Sequence, residues 1–215
     1  HFTSHKKHFT IMILITNPSF VQDEIQILHS LLEEGLSLLH VRKPDFSKIE
    51  MAKFLHQIKL EFRDNLILHS HHDLAEDFGI NRIHFSEKER RNQSQSPARF
   101  PKPCRYKNIS TSSHSIEDFN SLENFDYAFL SPVFKSISKE NYYREKDLFG
   151  EIKLRKNRKT KMIALGGIDS KNIQQVLENG FDDVALLGSI WKNENPLKQF
   201  KLCQKIALSH SQLPV

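Results

Sequence analysis

Short apolar runs alternate along this chain with longer segments whose apolar residues recur every three or four positions. The first run, Met12 to Thr16 (MILIT), is stopped by Asn17-Pro18 and predicts a buried strand. The next segment places Ile25, Leu28 and Leu32 at helical spacing and stops at Gly35. A second strand is expected over Leu36 to Arg42. Ser47 and Glu50 then form a capping box ahead of a helix face made of Met51, Phe54, Leu55, Ile58 and Phe62. The alternation continues with strands over 66–69, 82–85, 106–111, 127–130, 161–165 and 183–187. Helices are expected around Leu74 to Phe78, from Ser115 onward, and over Ile173, Val176 and Leu177 up to Gly180. A last helix starts at Pro196 and carries Leu197, Phe200, Cys203 and Ile206 on one face.

Eight strands result, each followed by a helix or by a gap long enough for one. Consecutive βα units force parallel strands with right-handed crossovers. The expected fold is therefore an α/β (β/α)8 TIM barrel, one compact domain over residues 11–215 behind a loose tail at 1–10. A doubly wound open sheet shares this periodicity. The count of eight and the lack of a GxGxxG after the first strand favour the barrel. Two stretches break the pattern: residues 87–104, polar and Pro-rich, predict a surface excursion in place of most of one helix, and 131–146 a long loop after the sixth strand.

Composition narrows the function classes. The 215 residues are 38% hydrophobic with 16 Phe, enough for a sizeable core. The apolar run Ile11 to Ile15 is far short of the ~20 residues that span a bilayer, so no membrane is implied. Lys and Arg number 31 against 26 Asp and Glu, a net +5. That mild excess suits an anionic small ligand, and no Gly/aromatic signature points to nucleic acid. Cys104 and Cys203 make no CxxC pair and are expected as reduced thiols of a cytoplasmic protein.

In a barrel, chemistry collects where strands finish. Gly166-Gly167 and Gly188-Ser189 follow the seventh and eighth strands and precede helices. Glycine admits close backbone approach and helix N-termini offer free N–H groups, so the pair points to a phosphate, although tight βα turns need glycine too. Ser136, Ser138 and Lys139, opposed by Arg42 or Lys43, would suit a second phosphate or a diphosphate. His40, His69, His84 and His114 at neighbouring strand ends invite a transition-metal reading, that of a His-rich hydrolase. Carboxylates nearby are few and HExxH is missing, so each imidazole is expected instead to bond or pack. His114, close behind Ser112, suits a general acid or base. The basic run 155–161 lies at the opposite end of its strand and is assigned no function.

These pieces have a collective likeness. LLHVRKP (38–44), the Asp73 to His84 stretch, SSH (112–114), DYAFLSPVFKSISK (126–139), ALGGI (164–168) and DVALLGSIW (183–191) resemble the thiamine phosphate synthase/TenI family from Met12 to Trp191. The resemblance implies a barrel that joins a hydroxymethylpyrimidine diphosphate to a thiazole phosphate and releases diphosphate with Mg2+. Phosphorylated pyrimidine and thiazole molecules would be its partners, and a homodimer is admitted as the assembly. By the same resemblance Arg42, Ser136, Ser138 and Lys139 would hold the diphosphate, and Ser112 would lie beside the pyrimidine. Gly166, Gly167, Gly188 and Ser189 would cradle the thiazole phosphate, and His40, Lys43, His69 and His84 would complete the substrate contacts.

The chain also departs from that pattern. His69-Ser70 stands where synthases carry Asn-Asp, and Glu89 alone represents the second metal carboxylate. Mg2+ prefers oxygen ligands, so its site is degraded. A TenI-type thiazole tautomerase using His114, or a non-catalytic thiazole-phosphate-binding relative, is the alternative. Synthase is placed first because the Ser-x-Ser-Lys clamp survives.

Overall fold

Parallel pairing joins each strand to the next and the last to the first. The computed structural model describes residues 12–94, 106–134 and 148–211. Its strands are β1 (Ile13–Ile15), β2 (Leu38–Val41), β3 (Leu66–Leu68), β4 (Arg82–Phe85), β5 (Asn108–Ser113), β6 (Tyr127–Leu130), β7 (Lys161–Ala164) and β8 (Asp183–Leu186). They close in sequence order, with Ile13 of β1 beside Ala185 of β8. Closure excludes the doubly wound alternative. Around the barrel run α1 (Glu24–Glu33), α2 (Lys48–His56), α3 (Leu74–Asp77), α4 (Glu87–Ser94), α5 (Ile116–Asn120), α6 (Leu148–Ile152), α7 (Ile173–Glu178), α8 (Gly188–Trp191) and α9 (Pro196–Ser211). Among the described residues no helix is long and apolar enough to cross a membrane.

Strand alternation divides the side chains between two cores. Leu14, Leu39, Leu68, Phe85, Leu130 and Val184 point outward and pack with Leu28, Met51, Phe119, Val176 and Phe200 of the helices. Ile13, Ile15, Phe129, Ile163 and Ala185 point into the barrel. That inner apolar group covers only one side. On the other side the inward positions of β2, β4 and β5 are His40, His84, Ser110 and Ser112, and these determine what the barrel holds.

Three local expectations are corrected. The fifth strand runs to Ser113, because its polar side chains find partners: Thr111 Oγ1 donates to the Phe85 carbonyl at 2.8 Å while Ser110 and Ser112 turn inward to His84. Residues 87–94 form α4 rather than a surface excursion. Ser86 caps that helix through the Glu89 amide, and Arg90 anchors it to Asp118 at 2.6 Å. The helix expected through Phe62 ends at His56, and a 3-10 turn over Leu60–Asn65 carries Phe62. Helix α6 begins at Leu148, beyond the stretch expected as a long loop. The tail at 1–10, Cys104, and the loop residues Ser136, Ser138 and Lys139 lie outside the described residues.

Candidate active site

The mouth at the C-terminal ends of the strands has two polar flanks. On the first, β1 and β2 are tied together by Thr16, whose Oγ1 accepts from the Arg42 amide at 2.8 Å and donates to its carbonyl at 3.0 Å. This fixes the backbone of Arg42 and leaves its side chain exposed at the rim. Arg42, His69, Ser70, Ser86, Lys88, Glu89 and Asn92 line a cleft of about 400 Å3. Glu89 is the only carboxylate among them. Its Oε2 already accepts from the Ser86 amide at 2.8 Å and the Ser86 hydroxyl at 2.6 Å. Magnesium wants several free oxygen ligands. One committed carboxylate beside two cations does not fit that ion, whereas an anion fits well.

On the opposite flank, Gly166 and Gly167 follow β7 with φ of 102° and 67°, a region that side chains rarely adopt. A Cβ on Gly166 would lie 2.9 Å from the Pro132 Cα, so close packing of the β6 loop explains this glycine without a ligand. Gly188 and Ser189 open α8. The amides of Ile190 and Trp191 bond back to Leu187 at 3.1 Å each, which leaves the two preceding amides without a helical acceptor. The Ser189 hydroxyl is buried and has no hydrogen-bond partner among the described residues. A buried orphan hydroxyl beside two unpaired amides is the arrangement a phosphate would complete.

Between the flanks lies an imidazole cluster. His40 is 0% and His84 1% exposed, and the sequence expectation that they touch substrate directly is corrected: both sit beneath the mouth, inside the barrel. His40 shares hydrogen bonds of 2.7 Å with His69 Nε2 and with the Tyr127 hydroxyl. His84 bonds Ser110 and Ser112 at 2.9 Å each. Phe129 closes the cluster from the apolar side, its ring 4.8 Å from His40 and 5.0 Å from His84. Burial drives all three imidazoles well below their ordinary value, His84 to about 3, with neighbouring positive groups adding to the effect. They are neutral near pH 7, each with one donor and one acceptor nitrogen.

His40, His69 and His84 bring ligand atoms within 4.8 Å of one another, the spacing that suggests a metal. Two observations oppose it. Every ring nitrogen of His40 and His84 is already bonded, and the His69 and His84 rings stack at 4.2 Å with 22° between planes, so the two planes meet only well beyond metal–nitrogen reach. A metal in an imidazole plane is the normal requirement.

Lys43 is also corrected. It is 1% exposed, and its ammonium bonds both Glu24 oxygens at 2.8 and 2.6 Å and the carbonyls of Asn17 and Ser19 at 2.7 and 3.2 Å. No donor is left for substrate. His114, by contrast, is exposed. Its Nδ1–H donates to the Ser131 carbonyl at 2.8 Å, and its Nε2 lies 3.8 Å from Glu87 Oε2. That carboxylate oxygen is buried and has no hydrogen-bond partner among the described residues. Sequence reasoning missed Tyr127 and Ser110. Period-two alternation was the available signal, since Tyr127 shares the inward face with Phe129 and Ser110 with Ser112.

Fold and mouth define a closed (β/α)8 barrel whose polar groups gather where the strands end. A family model described as thiamine monophosphate synthase matches residues 12–190. Proteins named thiamine-phosphate synthase are similar: that of Leptospira biflexa is 28% identical over 195 residues, 82% of this chain and 90% of that protein. The Oceanobacillus iheyensis protein is 24% identical over 82% of this chain and 88% of its own length. For the Prochlorococcus marinus protein, 26% identical over 86% of this chain, the match spans about half (52%) of its length. The crystal structure of a thiamine phosphate pyrophosphorylase from Bacteroides thetaiotaomicron superposes with a TM-score of 0.71 at 27% identity, covering 91% of this chain and 96% of that one. A Pyrococcus furiosus structure, at 18% identity and a TM-score of 0.74, shares the fold. This chain belongs to the thiamine monophosphate synthase family.

Proposed function

We propose that the protein joins hydroxymethylpyrimidine diphosphate to thiazole phosphate and releases diphosphate. One observation carries this reading: two flanks suited to anions face each other across a single mouth. A synthase needs both, one for the diphosphate and one for the thiazole phosphate. In this reading Arg42 and Lys88 neutralise charge that builds on the departing diphosphate. Gly188 and Ser189 hold the thiazole phosphate, so that the ring nitrogen is aimed at the pyrimidine methylene. Ser112, at the floor between them, sits beside the pyrimidine. Ser136, Ser138 and Lys139 complete the clamp by the family resemblance. The donor set at Ser70 and Glu89 does not suit Mg2+, and no step is routed through it.

Incubation of folded protein with both substrates tests the proposal. Thiamine phosphate and diphosphate should form in equal amounts, and Arg42→Ala should lower turnover by about 10²-fold or more, as expected for loss of one charge-stabilising donor. No product from the wild type would sink it.

A second reading rests on His114. Its free Nε2, opposed by Glu87, is placed for proton transfer and would serve a TenI-type thiazole tautomerase. Deuterium exchange into a thiazole carboxylate phosphate, abolished in His114→Ala, would select it. Thiazole phosphate binding with neither activity would select a non-catalytic relative.

A further inference from the structure

Ser112 is the inward side chain of β5 nearest the mouth, and beneath it runs a short ladder of hydrogen bonds with a fixed lower end. Ser112 Oγ lies 2.9 Å from His84 Nε2, and His84 Nδ1 lies 2.9 Å from Ser110 Oγ. Ser110 Oγ in turn donates to the Ile83 carbonyl at 3.4 Å. Ser110 and His84 are each 1% exposed, whereas Ser112 is half-buried. The His84 ring is packed on both faces, by His69 at 4.2 Å and by Phe129 at 5.0 Å, so its two nitrogens keep these neighbours.

A carbonyl oxygen can only accept, and that sets the direction of every bond above it. Ser110 gives its one hydrogen to Ile83, so it accepts from His84, whose proton is then on Nδ1. Burial holds His84 neutral at pH 7, its pKa lowered to about 3, so Nε2 carries a lone pair and takes the Ser112 hydrogen. The reversed ladder, with Ser110 donating to Nδ1 and Nε2–H donating to Ser112, loses the Ile83 contact and keeps two bonds instead of three in a dry interior. Ser112 is left with two lone pairs and no hydrogen to give. Among the described residues its Oγ has no other hydrogen-bond partner.

We propose that Ser112 is an acceptor-only contact at the floor of the mouth, its polarity set by the Ile83 carbonyl through Ser110 and His84, and that it selects a ligand ring bearing an N–H donor. The proposal rests on the synthase reading, in which the pyrimidine lies beside Ser112. An exocyclic amine on that ring satisfies the bare oxygen. An ether or carbonyl oxygen in the same place sets lone pair against lone pair, and a site built to hydrogen-bond one partner rejects the analogue that cannot. Ser112 touches the ligand, and His84 and Ser110 are positioning residues that act through it. This gives the buried histidine a reason to be there: a neutral imidazole accepts on one side and donates on the other, so it carries the direction of the lower bond to the upper one.

Calorimetry compares the affinity for hydroxymethylpyrimidine diphosphate, whose ring carries an amine, with that for its analogue carrying methoxy in place of the amine. The wild type should bind the amine form at least about tenfold more tightly, the worth of one hydrogen bond made and one repulsion avoided. Ser110→Ala leaves His84 Nδ1–H without an acceptor. The proton then moves to Nε2, Ser112 turns its own hydrogen to the mouth, and the preference for the amine should fall by about threefold or more. A protein merely loosened by the substitution would lose affinity for both ligands and keep their ratio. Equal binding of the two by the wild type, or an unchanged ratio in Ser110→Ala, overturns the assignment and leaves the synthase reading standing. 15N spectra of His84 in the wild type test the ladder without any ligand or variant: a proton on Nδ1 supports it, and a proton on Nε2 overturns it. If neither ligand binds the wild type, the synthase reading falls, and those spectra alone decide the polarity of Ser112.

Discussion

Removing the Lys43 ammonium separates a structural role from a binding one. The lysine is 1% exposed and carries four close oxygen contacts, two from Glu24 and two from backbone carbonyls. Its stem also passes near the Phe46 and Phe54 rings, with the ammonium 5.7 and 5.3 Å from their centroids. Lys43→Met keeps most of the apolar stem and deletes the charge. Glu24 would remain buried without its partner, and burial already raises its pKa as the leading cause against the pull of Lys43. Breaking one side of a buried pair typically costs about 3–5 kcal/mol. For a chain of this length that corresponds to a fall in Tm of roughly 6–20 °C, at about 2–4 °C per kcal/mol. Glu24→Leu added to Lys43→Met removes the orphan carboxylate and should recover more than half of the loss. Thermal and urea unfolding of the two singles and the double measure this directly. A Lys43→Met protein of wild-type stability that fails to bind diphosphate would refute the reasoning and restore Lys43 to the substrate.

Further predictions follow from the barrel interior and its loops. His84 is held to about 3 in the folded protein against about 6.5 unfolded, so acid favours the unfolded state. Its contribution is intact above pH 6.5 and is lost as pH falls toward 3, about 2 kcal/mol between pH 7 and 5. Urea titrations at the two pH values should show that slope reduced in His84→Gln, and an unchanged slope would contradict it. Gly166→Ala combines a φ of 102° with a 2.9 Å approach to Pro132, and should lose about 1–3 kcal/mol of stability in thermal unfolding. Arg90→Met should weaken α4, since Arg90 holds Asp118 and Thr111 from the helix. Proteolysis near residue 94 should then accelerate, and equal rates would speak against that anchor.

The barrel was legible because the outward strand positions are strongly apolar: Leu39 and Val41, Ile83 and Phe85, Ala128 and Leu130 each bracket an inward residue. Strand five was legible only in part. Its sequence NISTSS has weak strand character, and the extension to Ser113 depends on His84 and Phe85 of the neighbouring strand. Helix α4 has no apolar period to read, and what holds it is one cap and two arginines, Arg90 and Arg91, that meet Asp118 from far along the chain. Glycine loops and strand-end histidines were visible as candidates. Which of them face the mouth was not, because Lys43 finds Glu24 across 19 residues and Tyr127 finds His40 across 87. Those partners exist only once the barrel closes.

The central claim is that one mouth holds two separate anions. Calorimetry with inorganic diphosphate and thiazole phosphate, each titrated alone and then into protein saturated with the other, measures it most directly. Two independent isotherms are expected, the diphosphate one lost in Arg42→Ala and the thiazole phosphate one kept in that variant. Mutual competition for a single site would contradict it.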